Sequence, residues 1–328
     1  MYWQNRQKQL TKALEKNEAE LKKRLTTAYD EQYSKLEKEI AAYYQTYGAD
    51  NVIEYRKLMQ ALPEKEYNIL MRDIDLFCVR HPEYAHLAPA RRSAYIINRL
   101  EGLQMSVELE RLELMVEEEI QLKAHLDEID KRGYEAVIEK TGAVGTVNRD
   151  IVKAVVNTDW SKSGNFSSKI WARTANLAKV LNSEISAGFA RGDNYQKLTK
   201  TLRQKFSVSQ NEAMRLVYTE GTYVLNESTA QAIEQTFDYY SIAPIEDGKA
   251  CQVCLDIAAS TRISPARYSA RIAGVNFPPF HPWCRCSTYI VIPDKQAWIE
   301  NYVRAHGGDP AVSSEQKDKA RELVRAFT

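Results

Sequence analysis

Four of the five cysteines in this 328-residue chain fall within 36 residues. They stand as Cys251-Gln-Val-Cys254 and, after 26 intervening residues, His281-Pro-Trp-Cys284-Arg-Cys286. A CxxC turn offers two thiolates from one short loop, and tetrahedral zinc takes four such soft or borderline ligands. The second half of the motif offers three donors, so five groups compete for four positions. Cys284 and Cys286 are two apart and point to the same side of an extended segment, whereas His281 and Cys284 are three apart and fit a tight turn. Pro278, Pro279 and Pro282 stiffen that turn and lower the entropy of presenting ligands. The expected set is Cys251, Cys254 and Cys284 with one of His281 or Cys286. A non-ligating His281 would donate a hydrogen bond beside the ion. A reduced metal-free cluster and a disulfide pair are the alternatives.

The chain is long enough for roughly two domains and a substantial core. Hydrophobic residues at 44% and charged residues at 27% are ordinary for a soluble protein. No run approaches the roughly 20 apolar residues of a membrane span. The opening Met-Tyr-Trp-Gln-Asn-Arg-Gln-Lys lacks the apolar stretch of a secretory signal. Synthesis in a reducing cytoplasm is expected, where the cysteine cluster reads better as metal than as disulfide. Cys78 reads as a small buried hydrophobe.

Net charge is +1 and uneven. Residues 104–140 carry eleven acidic and five basic residues, a net of −6, and residues 160–217 carry ten basic and three acidic, a net of +7. The two segments can pair with each other. Alternatively the basic one, with Lys197, Lys200, Arg203 and Lys205, faces nucleic acid or an acidic protein surface.

Hydropathy patterning predicts a mainly α fold: long N-terminal amphipathic helices and a small α+β C-terminal domain stapled by a zinc site. Leu10, Leu14, Leu21, Leu25, Ala28, Leu36, Ile40 and Tyr43 recur at three- and four-residue steps, which predicts one helix over the first 47 residues. Gly48 reads as its C-cap. A second helical stretch runs to Leu62-Pro63, another starts at Pro63 and ends at His81-Pro82, and another runs from about Pro89 to Glu139. The last has Met105, Leu109, Leu112, Val116 and Ile120 on one face, a kink at Gly102 and a break at Gly133. Residues 1–140 thus form a helical region and 141–149 a linker.

Residues 150–292 form the next domain. Asp159 to Trp171 reads as a loop pinned by two tryptophans, with a helix starting at Ser167 or Ser168 and closing at Gly192. Asp193 caps the following helix and Ser207 or Ser209 one more, to about Gln235. Arg191-Gly192-Asp193 sits at a helix break and carries no recognition role. The period then changes to strands at Phe237–Ala243 and Ser287–Pro293, with the metal between their loops. Residues 293–328 form a helical tail. The tyrosines at helical spacing, Tyr29, Tyr33, Tyr43, Tyr44 and Tyr47, suit half-buried helix contacts.

The signatures of catalysis are missing from the sequence. It has no phosphate loop, no dinucleotide fingerprint, no nucleophile elbow and no His-Glu-x-x-His. The residues before Cys251 lack the His-x-Glu of nucleobase deaminases. Glu246, Asp247 and Asp256 are the acids near enough to serve as a base to a catalytic zinc, and flanking or capping roles are the simpler reading. Glu117-Glu118-Glu119 reads as a solvated helix face, and His81, His86, His125 and His306 as surface or capping residues.

With Asp247-Gly-Lys-Ala-Cys251-Gln-Val-Cys254 and Gly274-Val-Asn-Phe-Pro-Pro279-Phe-His-Pro-Trp-Cys-Arg-Cys286, the chain resembles the phage head morphogenesis, or Mu F-like, minor head proteins. The family's Arg-Thr-Glu helix is matched by Arg215-Leu-Val-Tyr-Thr219-Glu220, with the basic residue displaced. Tyr2-Trp3 and Asp159-Trp160…Ile170-Trp171 look like the form found in prophages of Gram-positive hosts. Leu255-Asp256-Ile257-Ala258 lacks the glycine that usually follows the CxxC loop. The resemblance implies a non-enzymatic minor capsid protein of the virion, made in the bacterial host cytoplasm. Its implied partners are the portal and capsid proteins and packaged double-stranded DNA. Some relatives carry C-terminal toxin domains, and by this resemblance the chain is expected to be the plain structural form. A packaged zinc-dependent nuclease or peptidase, or a DNA-binding module, are the rival readings.

Overall fold

The computed structural model describes residues 2–93, 96–141, 154–234, 236–245, 248 and 250–327. It is mainly helical. The long heptad-like stretch at the start forms α1, Tyr2–Tyr47. The rest of the order is the hairpin β1 (Gly48–Ala49) and β2 (Val52–Ile53), α2 (Tyr55–Leu58), α3 (Glu64–Arg80), α4 (Arg99–Thr141), α5 (Phe166–Arg191), α6 (Tyr195–Ile233), β3 (Tyr239–Ala243), α7 (Gln252–Ile263), β4 (Ala266–Arg267), β5 (Ser287–Val291), α8 (Lys295–Ala305) and α9 (Ser314–Phe327). No helix among the described residues is long and apolar enough to cross a membrane. The expected linker falls outside the described residues from 142 onward.

The chain forms two compact units. One comprises Lys22–Gln121 and Ser167–Met214. Its core gathers Leu36, Ile40, Leu103, Ile185, Phe189 and Leu198 with the tyrosine ladder of α1. The phenols are anchored: Tyr33 donates to the Thr199 carbonyl at 3.3 Å, Tyr43 to that of Arg99 at 2.9 Å and Tyr44 to that of Asp193 at 2.5 Å. Burying rings whose hydroxyls all find acceptors is what the spacing of these tyrosines allows.

Several local expectations need correction in this unit. Gly48 does not cap α1 but opens β1, and the reversal is made by Asp50 and Asn51, both at positive φ. Short polar side chains tolerate that conformation in a primed hairpin turn. The stretch before Pro63 holds only the four-residue α2. Helix α4 starts at Arg99, ten residues later than expected, where Asn98 and Glu101 exchange backbone-to-side-chain hydrogen bonds of 2.9 and 3.0 Å in a capping box. It runs without a break through Gly102, where a Cβ would lie 2.9 Å from a Leu62 methyl. On its predicted face Leu109, Leu112 and Val116 are buried, but Ile120 is 56% exposed. Asn194, not Asp193, caps α6, accepting from the Lys197 amide at 2.9 Å. Neither Ser207 nor Ser209 starts a helix, because α6 continues through both.

The acidic triplet on α4 is not a solvated face. Glu117 is exposed, but Glu118 is fully buried and paired with Arg173 of α5. Tyr29 donates to Glu118 at 3.3 Å, and Arg173 donates to the Ser209 hydroxyl at 2.9 Å. Burial pushes the Glu118 carboxyl up while Arg173 draws it back, and the pair raises the guanidinium. Glu119 accepts from Trp171 Nε1 and from the Ser167 hydroxyl, each at 2.7 Å.

The other unit comprises Met1–Leu21, Leu122–Phe166 and Arg215–Thr328. Its sheet has the order β4-β3-β5, with β3 antiparallel to both neighbours and Tyr240 paired with Ile290. Ile233, Tyr240, Phe277, Ile290, Leu323 and Phe327 lie in its core, and Phe237 stacks on Trp298 at 5.0 Å. The two predicted strands are present, and α8 and α9 follow the second. Gly133 does not break α4: a Cβ there would lie 2.3 Å from the Ser228 hydroxyl, so the missing side chain allows close approach of α6. His125, expected at the surface, is buried, because its helical position faces inward.

The buried Glu118–Arg173 pair yields a prediction. Arg173→Met leaves the Glu118 charge uncompensated, and stability should fall by about 3–5 kcal/mol. The double variant Glu118→Leu/Arg173→Met should regain most of that loss. Urea unfolding midpoints check both; a single variant as stable as the parent would contradict the assignment.

Candidate metal centre

The centre is built on β3, the start of α7, the loop before β5 and one face of α6. Cys251 is the N-cap of α7, in extended conformation, and places Cys254 in the helix's first turn. This helix was absent from the sequence reading. Its free amides favour thiolates at its start. The Cys254 backbone amide draws the Cys251 thiol below its ordinary value, whereas burial pushes Cys254 up to about 12.

The second half-site is a turn closed by the Cys284 amide on the His281 carbonyl at 3.1 Å. Trp283 occupies the left-handed region, φ 66°, a conformation unfavourable for a bulky side chain. Its ring packs on Tyr218 at 4.8 Å, and its amide donates to the Thr219 hydroxyl at 3.2 Å. His281 Nδ1 lies 2.7 Å from the Pro282 carbonyl, which only accepts, so Nδ1 carries the proton. Nε2 is therefore the lone-pair nitrogen. It faces Cys251 Sγ at 3.1 Å and Cys254 Sγ at 3.2 Å. That is the tautomer and orientation a metal-ligating imidazole takes.

All five cysteines are free. The donor atoms of Cys251, Cys254 and His281 lie within 4.8 Å of one another, and so do those of Cys254, Cys284 and Cys286. Cys254 and Cys284 are 3.9 Å apart, close to the ~3.8 Å edge of a tetrahedron with Zn–S bonds of about 2.3 Å. Cys286 donates to Cys284 and lowers that thiol to about 5, while the same contact pushes Cys286 up. Sulfur and imidazole donors at these spacings fit a thiophilic ion and are close enough to bind one.

Helix α6 holds the ligand loop by its backbone. The Thr222 hydroxyl donates to the Cys284 carbonyl at 2.6 Å and Asn226 Nδ2 to the Cys286 carbonyl at 3.0 Å. Thr219, Thr222 and Asn226 are three and then four apart, one stripe on the helix. Glu220 accepts from Trp160 Nε1 at 2.8 Å, which ties down the tryptophan loop. The sequence drew attention to Thr219 and Glu220 but missed Thr222 and Asn226. Their spacing from Thr219 was visible, but the polar residues around them, Glu220, Glu227, Ser228 and Thr229, gave no reason to single them out.

The remaining candidates lie elsewhere. Glu246 and Asp247 fall outside the described residues, and Asp256 accepts from Gln252 at 2.7 Å. Of the basic candidates on α6, Lys197 pairs with Asp193 at 2.6 Å, Arg203 with Asp30 at 2.7 Å and Lys205 with Glu184 at 3.1 Å. Lys200 is exposed.

Residues 179–289, about a third of the chain and including all five donors, match the family model of Phage Mu protein F like proteins. No curated protein and no solved structure matches the chain.

The polar stripe on α6 can be tested separately from metal. Asn226→Leu leaves the buried Cys286 carbonyl without its donor and should destabilise the unit by about 1–3 kcal/mol. Thr222→Val should do the same for Cys284. Thermal unfolding of each variant checks this, and unchanged midpoints would mean that water replaces the side chains.

Proposed function

We propose that this chain is a structural, non-enzymatic minor head protein of a tailed bacteriophage, of the type carried by prophages of Gram-positive hosts. The observation that carries the reading is the match of residues 179–289 to the Mu F-like family, a segment that spans both halves of the cysteine–histidine motif. In this reading the protein resides in the virion and associates with the portal and capsid during head assembly and DNA packaging or delivery. Residues 1–140 supply a helical body, and residues 150–292 the head-morphogenesis domain.

The ion is zinc, and its role is structural. Four of the five groups Cys251, Cys254, His281, Cys284 and Cys286 complete its tetrahedron. They join the start of α7 to the loop entering β5, two segments that also pack together through Ala258, Ile257, Phe277 and Phe280. Zinc has no redox chemistry and accepts both sulfur and imidazole, which suits a staple in a protein made in a reducing cell. When bound it supplies cross-linking; the chain's own residues do the rest, with Thr222 and Asn226 fixing the loop and the Pro282 carbonyl orienting His281. Ion pairs hold Lys197, Arg203 and Lys205 within their unit, so contact with DNA through this segment is a lesser part of the proposal.

The test is co-expression with the portal protein encoded in the same phage genome, followed by size-exclusion chromatography and metal analysis. A joint peak containing zinc is expected. If the chain elutes alone and carries zinc, the portal association is wrong and the metal assignment stands; if no metal is retained in either peak, the staple is wrong. Chelation should lower the melting temperature of the purified chain, and Cys254→Ser should lose the metal.

A further inference from the structure

The five donors exceed by one what a tetrahedral ion takes, and they do not gather as a single set of four. They form two sets of three, Cys251–Cys254–His281 and Cys254–Cys284–Cys286, each with all donor atoms within 4.8 Å, and Cys254 belongs to both. We propose that the centre holds two thiophilic divalent ions, one in each set, bridged by the Cys254 thiolate. The inference rests on the metal-staple reading and goes beyond it by assigning a second, all-sulfur site.

Three observations converge on this arrangement. The first is orientation. The only lone-pair nitrogen of His281 is directed at Cys251 and Cys254. An ion seated against it is therefore served by those two sulfurs, and Cys284 and Cys286 are left as a pair beside Cys254.

The second is charge. Cys254, Cys284 and Cys286 are 2%, 1% and 4% exposed, in a core that also contains Tyr240, Phe277 and Ile290. Uncompensated charge is costly in such surroundings. One divalent ion on three thiolates and a neutral imidazole leaves a net charge of −1 and a fourth thiol unused; on four thiolates it leaves −2. Two divalent ions on four thiolates and a neutral imidazole leave zero.

The third is rigidity. The carbonyls of Cys284 and Cys286 are both held by α6, through Thr222 and Asn226. The inner pair of sulfurs is thus fixed beside Cys254 independently of His281. The two sets also differ chemically. The outer one contains an imidazole and two half-buried groups, Cys251 and His281, so water can complete it. The inner one is buried and offers three thiolates and no fourth donor, a trigonal set that selects the softer ions.

The experiment is titration of the full-length, reduced, metal-free chain with zinc and with cadmium. Native mass spectrometry reads the stoichiometry, and 113Cd NMR reads the donor sets. The expected result is two ions per chain and two cadmium resonances, the more deshielded one from the all-sulfur site. His281→Ala should shift or abolish one resonance and leave the other, Cys286→Ser should do the reverse, and Cys254→Ser should affect both. Saturation of the parent chain at one ion with one resonance overturns the two-ion proposal while preserving the metal staple. Saturation at zero overturns both. The parent stoichiometry decides the question even if a cysteine variant fails to fold.

Discussion

A loop that presents soft donors to an ion must expose its carbonyls to the same interior, and here that interior is apolar. The structure meets this constraint with α6. Hydroxyl and amide groups from Thr222 and Asn226 satisfy the Cys284 and Cys286 carbonyls, and Thr219 receives the Trp283 amide. The three residues form one polar stripe along a helix that also holds Trp160 through Glu220 and Arg271 through Glu227. Without it the half-site would be buried with unpaired backbone groups, a penalty comparable to the net worth of several hydrogen bonds. Strand β5 leaves this loop directly and pairs with β3 from Ser287 onward.

Trp283 illustrates the balance of forces in the turn. On backbone grounds its left-handed conformation calls for glycine or asparagine. A tryptophan occupies it because the turn also needs an aromatic ring on Tyr218, and ring packing offsets the conformational strain. The side chain remains 46% exposed, so the contact covers one face of the ring only.

The parts of this structure legible in the sequence were those written in long periods or in rare residues. The spacing of Leu14, Leu21, Leu25, Leu36 and Ile40 identified α1, the change of period after residue 236 located β3 and β5, and the clustering of cysteines located the candidate metal centre. What was hidden depends on partners distant in sequence. Glu118 looks identical to Glu117 until Arg173 arrives from another helix. Ser207 and Ser209 are good caps, and only tertiary packing carries α6 through them. Gly102 and Gly133 resemble breaks because a sequence does not show the side chain that comes close. Helix α7 was missed because its first residues were read as ligands, and a cysteine can be a cap and a ligand together.

The tyrosines of α1 carry a consequence for how such a chain diverges. Tyr33, Tyr43 and Tyr44 donate to main-chain carbonyls, those of Thr199, Arg99 and Asp193. A carbonyl is present whatever residue stands at the receiving position. A substitution at Thr199, Arg99 or Asp193 therefore leaves each tyrosine its acceptor, so long as the backbone there keeps its course. A segment containing the cysteines and His281 is where family likeness is found in this chain.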